Sequence, residues 1–504
     1  MANNDLIRTE AQLKEIADAM SNEVSSSSEN VVSRYTRVVT DVVNFLDGQE
    51  TSHSYGQSTF NRENMESGIY SSTPVTDLRP HNVQDLIVAR DLNDHRFNFC
   101  PKGIDIPTLE EVHFEGIPDN FRMYDDEFRE FTERHPDTTL ARNLTVEQKI
   151  VVNSKGGVAI QSIPSLGIFY SHGYSPIPTN RDISVVCSSN EDVGRLPDLI
   201  KFIADPTPNG RIKSAETFSD AFHQLHKISG LKYGSLEEAG IPLSGLYDVV
   251  VLTGVPIHEI FGHQFEEPIR FLDFGESGTF KFGQSIQNKD LVLSDNPGQT
   301  IEGFRVQGFT YFDAYGRERQ ERVHIKDGKV VGFLGSEYAD PGKLKQYLGL
   351  ERSLFVGNST QHNDGHFPQP RMSCTVLDGK TEDVDLEGKL LIVPHEGHTN
   401  PQDKTYMVKA NECYVVQDGV PRRVIPLQVT GGINQALSNL VLIGTQSYQT
   451  GTCQKPEPIY YPQSRGMAAA QVSQFTKSQL WQGQQVYPLP ITDAHLRILQ
   501  EGKN

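Results

Sequence analysis

The chain has 504 residues, enough for two or more domains with complete hydrophobic cores. Its formal net charge of −19, with no compensating basic cluster, argues against direct binding to nucleic acid. Five cysteines, an odd and sparse count, argue against a disulfide framework. The sequence shows no signal-peptide pattern and no apolar run of roughly 18 residues, so we expect a cytoplasmic protein that does not insert into membranes.

Three segments of the first half carry helical patterns, because their apolar residues recur at helical spacing. The last of the three also opens with a serine cap and is followed by Gly230, which are start and stop signals of a helix. The predicted helices run from Asp5 to Met20, from Val31 to Leu46, ending at Gly48, and from Ser214 to Ser229.

Apolar runs at residues 149–152 and 183–187 predict strands, and the glycine-rich stretch between them should hold more. Residues 49–140 are polar and give no clear pattern. We place a domain boundary near residue 235, within about 20 residues, since boundaries are the least certain feature of a sequence. The predicted domains are an N-terminal α/β domain, residues 1–235, and a C-terminal β-rich domain, residues 236–504.

The second half is typical of antiparallel sheet. The turn pairs Asp327-Gly328 and Asp418-Gly419 each separate two apolar runs and therefore predict hairpins. Only a helix that begins at Pro256 and a final helix near residues 493–500 should interrupt the sheet. The predicted fold class is α+β, a mixed α/β domain followed by a mainly antiparallel β domain that carries the helix at Pro256.

That helix contains the motif His258-Glu259-Ile260-Phe261-Gly262-His263, directly behind the buried-strand pattern of residues 249–255. Pro256 suits a first helical turn, where its missing N–H would have no partner. Two neutral imidazoles can bind a zinc-like ion, and Glu259 can accept a proton from water activated by that ion. The motif therefore predicts a hydrolytic metal site, with a surface histidine pair as the alternative.

The spacing of the two histidines departs from the familiar H-E-x-x-H, in which the ligands stand at i and i+4. At 3.6 residues per turn, an i, i+5 pair points roughly 140° apart, too far to share one ion. A π-bulge around residues 260–262 would bring the rings together, and Gly262 offers a permissive backbone there. Cys374, Cys413 and Cys453 all follow the histidines, and any of them could supply a thiolate ligand.

The motif and the sequence after it resemble the TldD/PmbA family of metallopeptidases, whose active members carry H-E-x-x-x-H and a distant cysteine ligand. The similarity covers roughly residues 240–475 and is faint before them. The segments that carry it are Gln264-Phe265-Glu266 after the motif, the strand-rich stretch from Gly308 to Gly335, Pro370-Arg371-Met372-Ser373-Cys374-Thr375, and Gly451-Thr452-Cys453-Gln454-Lys455-Pro456-Glu457.

The resemblance implies that Cys453 is the third ligand, because its segment aligns with the cysteine-containing segment of the family. With His258 and His263 it would hold one Zn²⁺ per chain and leave a fourth position open, as catalytic zinc sites do. Glu259 would be the general base. The remaining cysteines, Cys100, Cys187, Cys374 and Cys413, are expected to be inert and buried.

Several further residues are candidates for the site. Glu266 could orient a ligand histidine, or face solvent, and Arg371 could hold a substrate carboxylate or form a structural ion pair. His395 and His398 replace a glycine-rich family segment and could line the cleft, hold a second metal or form a polar turn. For His362 and His366 we expect a plain loop.

The resemblance implies a zinc-dependent peptidase that hydrolyses short or unfolded peptides, including leader segments of modified peptides. It further implies a closed dimer, either of two identical chains or with a related subunit that lacks the metal motif. Two alternatives remain open: a non-catalytic scaffold subunit of such a complex, and a regulator of DNA topology, which the acidic charge disfavours.

Overall fold

The computed structural model describes residues 7–27, 30–64, 69–75, 95–96, 108, 110–173, 179–207, 210–234, 245–266, 280–335, 345, 357–360, 368–400, 403–438, 440–456 and 467–489. Strands predominate in them and form two large sheets, with few helices, so the α+β class is confirmed. No helix in these ranges is long and apolar enough to cross a membrane. The domain boundary near residue 235 stays a prediction.

The first sheet has the strand order β4-β3-β2-β1-β6-β7, with β5 and β8 both paired to the far edge of β7. The predicted strands at residues 149–152 and 183–187 lie in β6 and β8, with β7 between them. The strands are β1 Val31–Leu46, β2 Gln49–Asn64, β3 Ile69–Val75, β4 His95–Arg96, β5 Glu110–Phe114, β6 Thr138–Asn153, β7 Val158–His172 and β8 Thr179–Val186.

The prediction of a helix over residues 31–46 is wrong, because these residues form β1, which pairs with β2 and β6 along its length. Both faces of β1 are largely buried, so apolar residues do not alternate along it and the period of two is hidden. Its many β-branched residues were the strand signal. Asp47 and Gly48, expected to end a helix, have positive φ and form the hairpin turn to β2.

The helices of this half are α1 Glu10–Ser25, α2 Asp125–Arg134, α3 Asn190–Arg195 and α4 Phe218–Ser229, with a 3₁₀ helix, Leu196–Phe202, after α3. α1 begins later than predicted, because the Thr9 hydroxyl accepts from Gln12 N–H and the Gln12 side chain accepts from Thr9 N–H, a capping box. α4 begins after Thr217, whose side chain caps it, rather than at Ser214.

The second sheet has the order β14-β13-β10-β17-β23-β21-β19-β18-β9, with β20 paired to β19 and β22 to β23. It is antiparallel except for β17 with β23 and β18 with β9. Two short ladders, β11-β12 and β15-β16, lie outside it. The strands are β9 Gly245–Val251, β10 Val292–Asp295, β11 Thr300–Ile301, β12 Phe304–Arg305, β13 Arg322–Lys326, β14 Lys329–Val330, β15 Ser359–Thr360, β16 Gln369–Pro370, β17 Cys374–Asp378, β18 Leu390–Asn400, β19 Thr405–Gln417, β20 Val420–Val424, β21 Leu427–Gly432, β22 Leu440–Pro456 and β23 Met467–Pro488.

Both predicted hairpins of this sheet are confirmed, as β13-β14 and β19-β20. Their turn residues, Asp327-Gly328 and Asp418-Gly419, all have positive φ, which such two-residue turns require.

The helix after β9 consists of a π-helical segment, Ile257–Gly262, and α5, His263–Glu266. A further helix, α6 Ile433–Ser438, follows β21, so the expectation of only two helices in the second half is wrong. Ile433, Ala436 and Leu437 bury one side of α6 against the core of the second sheet, and such a short helix leaves too little periodicity to recognise. The predicted helix at residues 493–500 lies outside the described residues.

The two sheets share a hydrophobic core, in which Ile183 of β8 and Tyr414 of β19 belong to one cluster. A buried ion pair crosses the same contact: Arg181 of β8 donates to both carboxylate oxygens of Glu412 on β19, and the Tyr414 hydroxyl also donates to Glu412. Burial alone lowers the pKa of Arg181, but Glu412 outweighs it and raises that pKa. The Arg181 guanidinium therefore stays charged in the interior.

We expect Glu412→Ala to destabilise the protein by about 3–5 kcal/mol, because it leaves the Arg181 guanidinium buried without its counter-charge. Glu130→Ala, which removes an exposed pair with Arg134, should cost less than about 1 kcal/mol. Denaturant unfolding monitored by circular dichroism measures both values. Equal costs for the two variants would show that the buried pair does not hold the sheets together.

Candidate metal centre

The backbone between the two motif histidines departs from α-helical geometry. The His263 N–H donates to the carbonyl of His258, five residues earlier, within the π-helical segment. This extra residue in the turn carries His263 back to the side of His258, and the two ring centroids lie 5.4 Å apart. The predicted π-bulge is confirmed, and the i, i+5 spacing is thereby compatible with a shared ion.

Gly262 is required for a different reason from the one expected. Its φ is not positive, so backbone permissiveness does not account for it. A Cβ at this position would stand 2.5 Å from the Met372 sulfur and 3.7 Å from Nδ1 of His258. Glycine therefore provides the space in which the segment before β17 packs against the π-helical turn.

Both histidines have Nδ1 engaged and Nε2 directed to the same place. Nδ1 of His258 lies 2.8 Å from the Thr375 hydroxyl, and Nδ1 of His263 lies 2.8 Å from the Glu266 carboxylate. A hydrogen bond at one ring nitrogen fixes the ring orientation and leaves the other nitrogen for a metal. Nε2 of His263 lies 3.1 Å from Glu259 and 3.2 Å from the Cys453 sulfur.

Cys453 reaches the histidines from a strand. It lies on β22 and pairs with Ala470 of β23, in a long hairpin that borders the motif helix. Arg371 fixes it further, because its guanidinium donates to the Cys453 carbonyl at 2.8 Å. The sulfur position is thus set by sheet pairing and by a buried arginine.

The donor atoms of His258, Glu259, His263 and Cys453 all lie within 4.8 Å of one another. Nε2 of His258 is buried and, among the described residues, has no hydrogen-bond partner of normal geometry. A buried nitrogen without a partner is costly unless something else binds it. Two imidazoles and a thiolate are ligands that suit zinc and that magnesium and calcium avoid, so the residues fit a zinc-like ion.

The electrostatics of the group favour the thiolate. Burial by itself raises the pKa of Cys453, but His263, Arg371 and His258 outweigh it and lower the pKa to about 6. Burial also lowers the pKa of His263, but Cys453, Glu266 and Glu259 reverse this and raise it well above the usual value. The same contacts thus make Cys453 easier to deprotonate and His263 harder to deprotonate, and binding of a metal ion would displace the protons of the ligands.

The other described cysteines have the opposite environment. Burial raises the pKa of Cys187, Cys374 and Cys413, that of Cys374 to about 12. Neutral, buried thiols are poor ligands and poor nucleophiles. These three match the expected inert role, while Cys100 lies outside the described residues.

Glu266 and Arg371 lie behind the ligands. One carboxylate oxygen of Glu266 accepts from His263, and the other accepts from the Met372 N–H at 2.7 Å. The Arg371 guanidinium is fully buried, 3.8 Å from Glu266. For Glu266, this geometry favours orientation of a ligand histidine over a position that faces solvent. For Arg371, it favours the structural ion pair, here with Glu266, over contact with a substrate carboxylate.

His395 and His398 lie on β18, close in sequence to Gly397, and both are exposed. The Glu396 carboxylate contacts both His398 and Lys409. Within the described part of the chain, neither histidine belongs to a group close enough to share an ion. His362 and His366 lie outside the described residues.

Two residues of the site escaped the sequence analysis. Thr375, in the segment Pro370 to Thr375, holds His258, but a threonine at a strand position gives no sign of a distant partner. Gly397 touches the general-base candidate, since a Cβ there would stand 2.8 Å from Cβ of Glu259. The loss of most of the family's glycines in that segment could have marked the one that remains.

Residues 249–474 match the family model described as PmbA/TldA metallopeptidase C-terminal domain. Among solved structures, TldE from Thermococcus kodakarensis is similar with a TM-score of 0.62 and 12% identity, over 94% of this chain and 100% of that one. A putative modulator of a DNA gyrase from Thermotoga maritima is similar with a TM-score of 0.56 and 14% identity, over 94% of this chain and 99% of that one. A putative modulator of DNA gyrase from Bacteroides thetaiotaomicron is similar with a TM-score of 0.54 and 14% identity, over 96% of this chain and 100% of that one. No curated protein sequence matches significantly.

The matched domain, residues 249–474, carries the group of metal-ligand residues around its π-helical turn. The described residues share the fold of these solved structures.

His258→Ala, His263→Ala and Cys453→Ala should each lower metal content sharply, because each removes one of the three donors that suit zinc. Cys374→Ala and Cys413→Ala should leave the ion at this site in place, since neither thiol belongs to the group of converging donor atoms. Elemental analysis of the purified proteins measures this. Unchanged metal affinity in Cys453→Ala would refute its assignment as a ligand.

Proposed function

We propose that the protein is a zinc-dependent peptidase. The observation that carries the proposal is the convergence of His258, Glu259, His263 and Cys453 within 4.8 Å, with both histidines oriented through Nδ1. Zinc held by His258, His263 and Cys453 would supply Lewis-acid activation of water and of a carbonyl group.

Glu259 is the residue suited to move protons. His263 and His258 lower its pKa against the raising effect of burial, which is the larger single influence, so the carboxylate is ionised at neutral pH. Its side chain is 21% exposed and that of His263 is 14% exposed, whereas His258 and Cys453 are buried. Water and a substrate therefore approach from the Glu259 side, where the carboxylate can accept a proton and return it to a leaving amine.

The strand beside Glu259 offers a binding edge for an extended peptide. The ladder between β9 and β18 ends at Ile392, where the Leu252 N–H donates to the Ile392 carbonyl. In the described residues, the next part of β18, up to Thr399, has a strand partner only on the β19 side. An extended chain can add to such an edge through main-chain hydrogen bonds, which select for unfolded peptides more than for a particular sequence.

The resemblance to the family supports two further parts of the proposal. We propose that the substrates are short or unfolded peptides, including leader segments, and that His395 and His398 contact them. We also propose that the chain works in a dimer, with itself or with a related subunit.

Glu259→Gln should retain zinc but lose about 10²–10⁴ in turnover, because it keeps the side-chain size and removes the proton acceptor. Peptide hydrolysis and metal analysis on the same preparation measure both properties. Glu130→Gln, the same substitution on the exposed side of α2, is the control and should keep most of the activity. A Glu259→Gln protein with bound zinc and near-normal turnover would exclude this role.

Gly397→Ala should lower kcat by about 10–100-fold with zinc retained, because the added methyl group displaces Glu259 and not the ligands. Gly444→Ala is the matched control, since a Cβ there meets nothing within 4 Å. If Gly397→Ala were as active as Gly444→Ala, the position of Glu259 would not limit the reaction.

A further inference from the structure

A second group of metal-ligand residues lies where β6 of the first sheet begins and β7 ends. Donor atoms of Asp137, His172 and His226 lie within 4.8 Å of one another. Nδ1 of His172 and Nδ1 of His226 lie 3.7 Å and 4.0 Å from the same oxygen of Asp137. Ligands at 2.0–2.1 Å around a tetrahedral ion stand about 3.3 Å apart, so small side-chain shifts would close the set.

The backbone holds these residues in place. His172, at the end of β7, pairs with Thr138, at the start of β6. Asp137 lies in a tight turn, in which the Thr138 N–H donates to the His135 carbonyl and the Gly173 N–H donates to the Asp137 carbonyl. The Thr138 hydroxyl lies 3.2 Å from Nδ1 of His172 and 3.3 Å from Nδ1 of His226. Because one hydroxyl joins both nitrogens, they already face a common point.

The potential at this point favours a cation. His135 caps the C-terminus of α2, and His226 lies in the last turn of α4, so the negative ends of two helices meet here. The His135 and His226 ring centroids lie 4.1 Å apart. The positive charge of Arg423 lies near His172 and would repel a bound cation. Its guanidinium is held by other groups, because it donates to the Ser229 carbonyl and the Thr179 hydroxyl. Asp137 supplies the negative charge.

We propose that Asp137, His172 and His226 bind a second divalent transition-metal ion, zinc or a similar borderline cation. Imidazole and carboxylate donors without a thiolate suit zinc, cobalt and nickel. The ion would connect the α2-β6 turn, β7 and α4, and so stabilise the first half of the chain. The chain would then bind two ions, one more than the motif alone predicts, and this second site does not depend on the proposed peptidase activity.

The test is a Co²⁺ titration of the metal-free, full-length protein. A cobalt-thiolate charge-transfer band reports the Cys453 site, and total bound cobalt counts all sites. The double variant His258→Ala/His263→Ala should bind one ion without the band. If this double variant binds no ion, the second site does not exist, whatever the wild type does.

His226→Gln and Asp137→Asn, each made in that double-variant background, should bind cobalt at least 10–100-fold more weakly. Loss of a group that only hydrogen-bonds to a metal ligand already lowers metal affinity by about 10–100-fold, and loss of the ligand itself should lower it at least as much. His223→Gln is the matched control: it lies one turn earlier on α4, and its Nδ1 donates to the Ser219 carbonyl at 2.7 Å. Equal affinity in His226→Gln and His223→Gln would overturn the ligand assignment. In the wild-type background, His226→Gln should keep its peptidase activity and its thiolate band.

Discussion

The hydrogen bond from the His263 N–H to the His258 carbonyl is the constraint on which the candidate metal centre depends. It inserts one residue into a helical turn and so brings together two rings that a regular helix would separate. The turn has little freedom to relax, because Met372 fills the space beside Gly262 and β18 presses Gly397 against Glu259. Both histidines are also held through Nδ1, by Thr375 and by Glu266. The packing therefore selects the unusual turn, and the turn creates the donor geometry.

Charge divides the described cysteines as clearly as geometry does. Cys453 and Cys374 are both fully buried, and burial disfavours a thiolate at each. Only Cys453 has two histidines and Arg371 close enough to reverse that effect. The same arginine donates to the Cys453 carbonyl, so one buried guanidinium sets both the position of the sulfur and its charge. The sequence around a cysteine reveals neither its position nor its charge, because both depend on side chains from distant segments.

How much the sequence predicts depends on whether the signal is local. The hairpin turns at Asp327-Gly328 and Asp418-Gly419 were predictable, because each is decided by a few neighbouring residues. The π-bulge was predictable for a different reason, since two histidines at i and i+5 can share an ion only if the helix gains one residue in a turn. β1 was mistaken for a helix, since a strand buried on both faces loses its alternation and leaves only composition as a guide. At the site, the motif predicted the two histidines and the general base, and the alignment of its segment with the family predicted Cys453 as a ligand. Thr375, Gly397 and the buried role of Arg371 required the fold, because their partners lie far away in the chain.

The hairpin that carries Cys453 also has a consequence for chain entropy. His263 and Cys453 are 190 residues apart, so contact between them closes a very long loop. The entropic cost of closing a loop grows only slowly with its length, but a link that closes a long loop removes more disorder from the unfolded chain than a short link does. An ion shared by these two residues would act as a cross-link between the motif helix and the last hairpin. Occupancy of the site and cohesion of the C-terminal sheet are then a single coupled equilibrium.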